Sequence, residues 1–190
     1  MTQDINLHKT NNSYYLIKIK SKEELKNFDC DGFLIDTNSN EKETRRILDS
    51  LRKSKKIIAI VGGDNIYNRR VLETMNINYL VSPEVSDKKD NLKQRDSGLN
   101  HVLAKIAKKK NISILINFNQ IKNLNDRDKI NVIQRLIQNI KICRKSNCSL
   151  KVASFANNPS GILTPLQRQE FLISLGASTK QAKDSIYFSN

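Results

Sequence analysis

Apolar runs of strand type alternate with helical periodicity along almost the whole chain. In 14–20 the residues Tyr15, Ile17 and Ile19 share one face of a period-two pattern, which predicts a strand. Ser21-Lys22-Glu23-Glu24 then has the Ser-x-x-Glu form of a capping box and predicts a short helix to Phe28. Further strands are predicted at 33–36, 57–61, 79–82, 112–117 and 151–153. The run Ile57-Ile58-Ala59-Ile60-Val61 is apolar throughout, as expected of a strand covered on both faces. Between the strands, helices are predicted at 41–53 and 66–75, from about Leu99, and at 126–145, where Ile130, Ile133, Ile137 and Ile140 make the buried stripe. Gly62-Gly63-Asp64 reads as a turn with Asp64 as the cap of the next helix. Thr164-Pro165 opens another helix, with Thr as N-cap and Pro at the first position, and it ends at Gly176. A last helix covers 179–185.

Repeated βα units imply a mostly parallel sheet with helices packed outside it. Six strands are expected, or seven if Ile186-Tyr187-Phe188 pairs. A complete eight-stranded barrel needs about 250 residues, and the chain has 190. The fold class is therefore α/β, an irregular or incomplete TIM-like (βα) barrel of six to seven strands ringed by helices. An open doubly wound sheet is the alternative. The chain is expected to form one domain over 1–190, with 1–13 an irregular N-terminal segment.

Composition sharpens this picture in one respect. Hydrophobic content of 38% and a mean hydropathy of −0.54 describe a polar surface around an ordinary core. No apolar run approaches the length that spans a bilayer, and residues 1–6 show neither a basic nor an apolar leader region. Cys30, Cys143 and Cys148 form no C-x-x-C pair, so reduced thiols and a cytoplasmic location are expected. The net charge is +14, from 33 basic and 19 acidic residues. Lysine is favoured along with Asn and Ile in AT-rich coding, but that bias does not explain the excess of basic over acidic residues. A polyanionic partner, nucleic acid first, is implied.

The densest chemistry lies in 94–105, "QRDSGLNHVLAK". With Ser97 as N-cap, the helix places Leu99, Val102, Leu103, Ile106 and Ala107 toward the core. His101, Lys105 and Lys108 then make the outward face. In a βα barrel this helix start sits beside the C-terminal ends of the strands, where functional loops gather, and helix N-termini favour phosphate. Arg95 and this basic face suit RNA backbone contact or protein docking. Lys88, Lys89 and Lys93, in the preceding loop, are secondary basic candidates. Asp96 and Asn100 have an ordinary reading as loop-stabilising side chains.

A self-contained catalytic site finds little material. His101 with Asp96 could act as a general base, but His8 is the only other histidine. No H-x-H or H-E-x-x-H pattern exists, so a multi-metal phosphoesterase lacks its ligands. Asp36 and Glu84 are the carboxylates at strand ends, and two could hold one Mg²⁺ weakly.

"RDSGLNHVLAK", Arg95 to Lys105, resembles the signature segment of the ribonuclease P protein component 3 family, the thirty-kilodalton-class subunits of archaea and eukaryotes. "LTPLQRQEFLISLGASTKQAKDSI", from Leu163, is similar to the closing helices of that family. The first eighty residues match only in their βα rhythm. The resemblance implies a barrel related to PHP-type metal phosphoesterases that has lost their metal ligands, in a compact archaeal member. It implies a protein subunit of ribonuclease P, the hydrolase and endonuclease that removes the 5′ leader of precursor tRNA. The RNA subunit would carry the Mg²⁺-dependent chemistry, with no cofactor, metal or catalytic residue on the protein. Precursor tRNA, the ribonuclease P RNA, a small ferredoxin-like subunit and other ribonuclease P proteins are the implied partners. By position in the matched segment, Arg95 and Lys105 are assigned to RNA phosphate, and Asn100 and His101 to hydrogen bonds with RNA or a partner. Asp96 and Lys108 accompany them, while Ser97 and Gly98 are structural. A stand-alone barrel phosphoesterase and a general RNA-binding protein are the competing readings.

Overall fold

A computed structural model describes residues 3–11, 13–25, 28–85, 90 and 95–188. Among these, seven strands lie side by side in sequence order, and every neighbouring pair is parallel. They are β1 (Asp4–Asn6), β2 (Ser13–Ile19), β3 (Gly32–Ile35), β4 (Ile57–Val61), β5 (Tyr79–Val81), β6 (Ser113–Asn117) and β7 (Leu150–Ala153). The helices are α1 (Glu41–Leu51), α2 (Asn65–Thr74), α3 (His101–Lys109), α4 (Phe118–Lys122), α5 (Asp126–Ser146), α6 (Pro165–Ser174) and α7 (Thr179–Asp184).

The sheet curls into a nearly closed barrel. One apolar cluster, including Leu16, Leu34, Ala59, Val81, Leu115 and Phe155, fills its interior. A larger one, including Ile35, Ile60, Leu80, Ile114 and Val152, joins the other sheet face to the helices. Alternate strand residues thus enter the two clusters, as the period-two geometry of a strand requires.

The seam is closed by side chains as well as backbone. Phe155 N donates to the Ile5 carbonyl at 2.9 Å, and Leu7 N to that of Ala156 at 3.0 Å. Asp4 Oδ1 accepts from Ser154 N at 3.0 Å, and Asn6 Oδ1 accepts from Ala156 N at 3.0 Å. Arg168, 1% exposed, reaches in from α6 and donates to Asp4 Oδ1 at 3.0 Å and to the carbonyls of Gln3 and Val152. The seventh strand is therefore β1, in the segment expected to be irregular. Residues 186–188 form no strand; Phe188 packs edge-on against Tyr79, with ring centroids 6.0 Å apart.

Three local expectations are corrected. Ser21 makes no side-chain cap, and among the described residues of this stretch only the 3-10 turn Lys22–Glu24 forms. Glu24 instead accepts from the Lys20 amide at 2.7 Å, so the side chain closes a turn with the end of β2. On α5 the buried stripe is Val132, Leu136, Ile140 and Cys143, with Arg135 and Asn139 beside it, while Ile130 is 59% exposed. The helix is rotated so that two polar residues face inward. Val102 is 47% exposed rather than core, because Leu103, Ala104 and Ala107 supply the buried face of α3.

Candidate nucleic-acid interface

Beyond β5, Ser82 takes a left-handed φ of 46° and the chain turns through Pro83 into Glu84. This turn presses on two glycines. A Cβ on Gly62 would meet Pro83 Cα at 2.7 Å, and one on Gly98 would collide with the Pro83 carbonyl. Gly98 also has a φ of 68°, in the left-handed region that glycine tolerates. The Gly62-Gly63 pair therefore serves close packing, and Asp64 caps α2 through Tyr67 N at 2.7 Å, as the sequence predicts.

The signature segment is tied down from behind by buried amides. Asn68 donates to the carbonyls of Gly63 and Gly98, each at 3.0 Å, and so joins the β4–α2 turn to the start of α3. Asn139 donates to the Ser97 carbonyl at 3.0 Å and to Glu84 Oε2 at 3.4 Å. Gln138 donates to Ser97 Oγ at 3.1 Å and to the Arg95 carbonyl at 3.3 Å. Arg135, 4% exposed, bonds Asp90 Oδ1 at 2.9 Å and the Glu84 carbonyl at 3.2 Å. These contacts explain the inward polar face of α5.

Glu84 is fully buried, and its Oε1 has no hydrogen-bond partner among the described residues. Burial pushes its pKa up to about 7, against the opposing hydrogen bonds from its own backbone and Asn139 and the charge of Arg135. Asp36, the other strand-end carboxylate, is paired with Lys18 Nζ at 2.7 Å. No group of three or more His, Cys, Asp or Glu could hold a metal ion among the described residues.

The candidate residues now separate by role. Asp96 is part-buried and accepts from Asn65 Nδ2 at 2.7 Å, which fixes the loop against α2. Arg95 is exposed, but its guanidinium is oriented by Asp90 at 3.2 Å. The N-cap of α3 is Asn100, not Ser97. Asn100 Oδ1 accepts from Val102 N at 2.9 Å and Leu103 N at 3.0 Å, whereas buried Ser97 donates to the Leu99 carbonyl. The cap occupies donors that a phosphate at this helix start would use. His101, Lys105 and Lys108 are exposed in a row along α3, so anion contact falls to side chains on the helix face. Lys88, Lys89 and Lys93 lie outside the described residues. Asn68, Arg135, Gln138 and Asn139 are not singled out by the sequence; their one signal there is polar residues recurring at 135, 138 and 139 inside an otherwise apolar helix period.

Asn100→Ala should lower stability by about 1 kcal/mol through loss of the cap. Urea unfolding of the two proteins checks this, and an unchanged midpoint would remove Asn100 from the cap.

Fold and site together define a parallel βα barrel in which a basic helix, α3, is backed by side chains of α2 and α5. The family model for RNase P subunit p30 matches residues 30–188, and the chain belongs to that family. A Ribonuclease P protein component 3 from Methanococcus maripaludis strain S2 is 28% identical over 133 residues, covering 70% of this chain and 54% of the relative. One from Methanococcus vannielii is 33% identical over 138 residues, covering 72% and 56%. The chain thus spans about half the length of these curated relatives. Among solved structures, a chain in the "cryo-EM structure of archaeal Ribonuclease P with mature tRNA" superposes with a TM-score of 0.73 at 22% identity, covering 96% of this chain and 85% of that one. An amidohydrolase superposes with a TM-score of 0.55 at 10% identity, covering 81% and 40%, and shares the barrel. Among the described residues no helix is long and apolar enough to cross a membrane.

Proposed function

We propose that this chain is a protein subunit of ribonuclease P, acting in the cytoplasm in removal of the 5′ leader from precursor tRNA. It supports the catalytic RNA and does not itself cleave. The observation that carries this reading is the family match across 30–188, which includes the whole signature segment. The charge of +14 supports an RNA partner. The Mg²⁺-dependent chemistry is assigned to the RNA, and the protein works through His101, Lys105 and Lys108 on α3. Exposed Ile66 and Val102, each the second residue of its helix in the neighbouring α2 and α3, suit docking of a partner protein such as the small ferredoxin-like subunit.

The test is cleavage of precursor tRNA at moderate Mg²⁺ by ribonuclease P RNA, with this protein and the small subunit added separately and together. Stimulation only in the presence of the RNA is expected. Cleavage by the protein alone would overturn the accessory role, and equal affinity for unrelated RNAs without stimulation would favour a general RNA binder. Lys105→Glu should cut the stimulation several-fold while leaving the thermal transition in place, because Lys105 makes no ion pair or hydrogen bond among the described residues.

A further inference from the structure

A second concentration of positive charge lies at the other end of the barrel, where the strands begin. There the last turns of α3 and α5, the start of β7 and α7 enclose a groove of about 690 Å³. Lys108, Arg144, Lys151 and Lys180 line it, against the single carboxylate of Asp184. We propose that this groove binds the sugar–phosphate backbone of RNA as a second contact, separate from the signature segment and reached along α3 through Lys108. The proposal rests on the RNA-binding reading above.

Basic residues in a last helical turn have an ordinary explanation, since they offset the helix dipole. The magnitudes decide against that explanation here. Three helix C-termini, those of α3, α5 and α7, present about half a negative charge each, the last through the Asp184 carbonyl that accepts from Lys151, and the Asp184 carboxylate adds one more. Four cations exceed this by about one and a half charges. Lys180 lies in the first half of α7, where the dipole calls for no cation.

The four cations are also uncommitted to carboxylates. No salt bridge holds any of them among the described residues; Arg144 donates to the Gly176 carbonyl at 3.4 Å, and Lys151 to the Asp184 carbonyl at 2.7 Å. Desolvation holds the Lys151 ammonium below the ordinary lysine value, with Asp184 opposing, so an arriving phosphate would favour its charged form. Small-molecule pockets of this size are lined mainly by apolar side chains, and the lining here is mostly charged and polar. Protein interface cores are poor in lysine, and the exposed large apolar residues Ile66, Val102, Ile130, Leu166, Ile173 and Tyr187 are not among the lining residues. A flexible polyanion fits this chemistry best.

Lysine acylation of the full chain, read by mass spectrometry with and without a ribonuclease P RNA transcript, tests the site directly. The RNA should slow modification of Lys108 and Lys180 several-fold, with exposed Lys42 on α1 unchanged. In parallel, Arg144→Gln/Lys180→Gln should keep the wild-type melting transition. It should also reduce the slope of log affinity against log salt by about 1.4–1.8 for two lost phosphate contacts. Protection of Lys105 without Lys180, together with an unchanged salt slope, would overturn the groove and leave the ribonuclease P reading standing. Absence of RNA binding and of any lysine protection would overturn both.

Discussion

Replacing Arg168 by alanine is expected to lower the unfolding free energy by roughly 3–5 kcal/mol, the usual cost of removing one partner from a buried ion pair. Arg168 touches three parts of the seam at once: the Gln3 carbonyl, the Asp4 carboxylate and the Val152 carbonyl. Its loss leaves Asp4, 5% exposed, without its cationic partner and held only by the amides of Ile5 and Ser154. Asp4 Oδ2 already lacks a hydrogen bond among the described residues, so the two amides on Oδ1 are all that would remain. Urea unfolding at neutral pH measures the effect. Asp4→Asn/Arg168→Met should lose less than Arg168→Ala alone, because it removes both charges together. If Arg168→Ala unfolded at the wild-type midpoint, the seam would not depend on this pair.

The second large effect concerns pH. The Glu84 pKa is raised to about 7 from an ordinary 4.5, so the folded state holds a proton that the unfolded chain has released. Its contribution to stability is fully present below the unfolded value and is lost as pH rises through about 7. A shift of that size corresponds to roughly 3 kcal/mol. Glu84→Gln keeps the shape and removes the ionisation. The variant should therefore gain on the wild type between pH 5 and pH 8, with the difference approaching that figure at the higher pH. Asp90 answers in the opposite sense. Desolvation, the largest single influence, pushes its carboxyl up, but the Asp96 amide, Arg135 and Arg95 together outweigh it and hold the carboxyl low, so it stabilises above the ordinary carboxylate range and fails in acid. Denaturant unfolding across this range and on down below pH 4 separates the two. A wild-type-to-variant difference that is the same at pH 5 and pH 8 would show that Glu84 does not titrate in this window.

The rhythm of the barrel was legible because its strands and helices are long enough to show their period. The apolar period predicts one helix over 126–145 and the structure has Asp126–Ser146; the apolar run 57–61 is β4 itself. What escaped was short or polar. β1 has three residues, and two of them, Asp4 and Asn6, are buried polar side chains whose partners lie 150 positions away. No local pattern encodes such a contact. The cap of α3 was misplaced by three residues because Ser97 and Asn100 both have good capping side chains; Asn139 and Gln138 decide the matter by holding Ser97 inward. The outward row of His101, Lys105 and Lys108 could be read from spacing, whereas the amides that stiffen the loop behind it come from α2 and α5.

The seam also sets an order of events on the ribosome. Strands β2 to β7 can pair with their neighbours as each emerges, since every pairing joins consecutive strands. The far edge of β1 is different: its partners are Ser154, Phe155, Ala156 and Arg168. Contacts of such long sequence separation form late, after their loop-closure entropy has been offset by nearer contacts. The far edge of β1 therefore has no backbone partner until residues 154–156 have been made, and no ion pair until α6 follows with Arg168. Closure thus joins residues 3–7 to residues 154–168, about 150 positions apart.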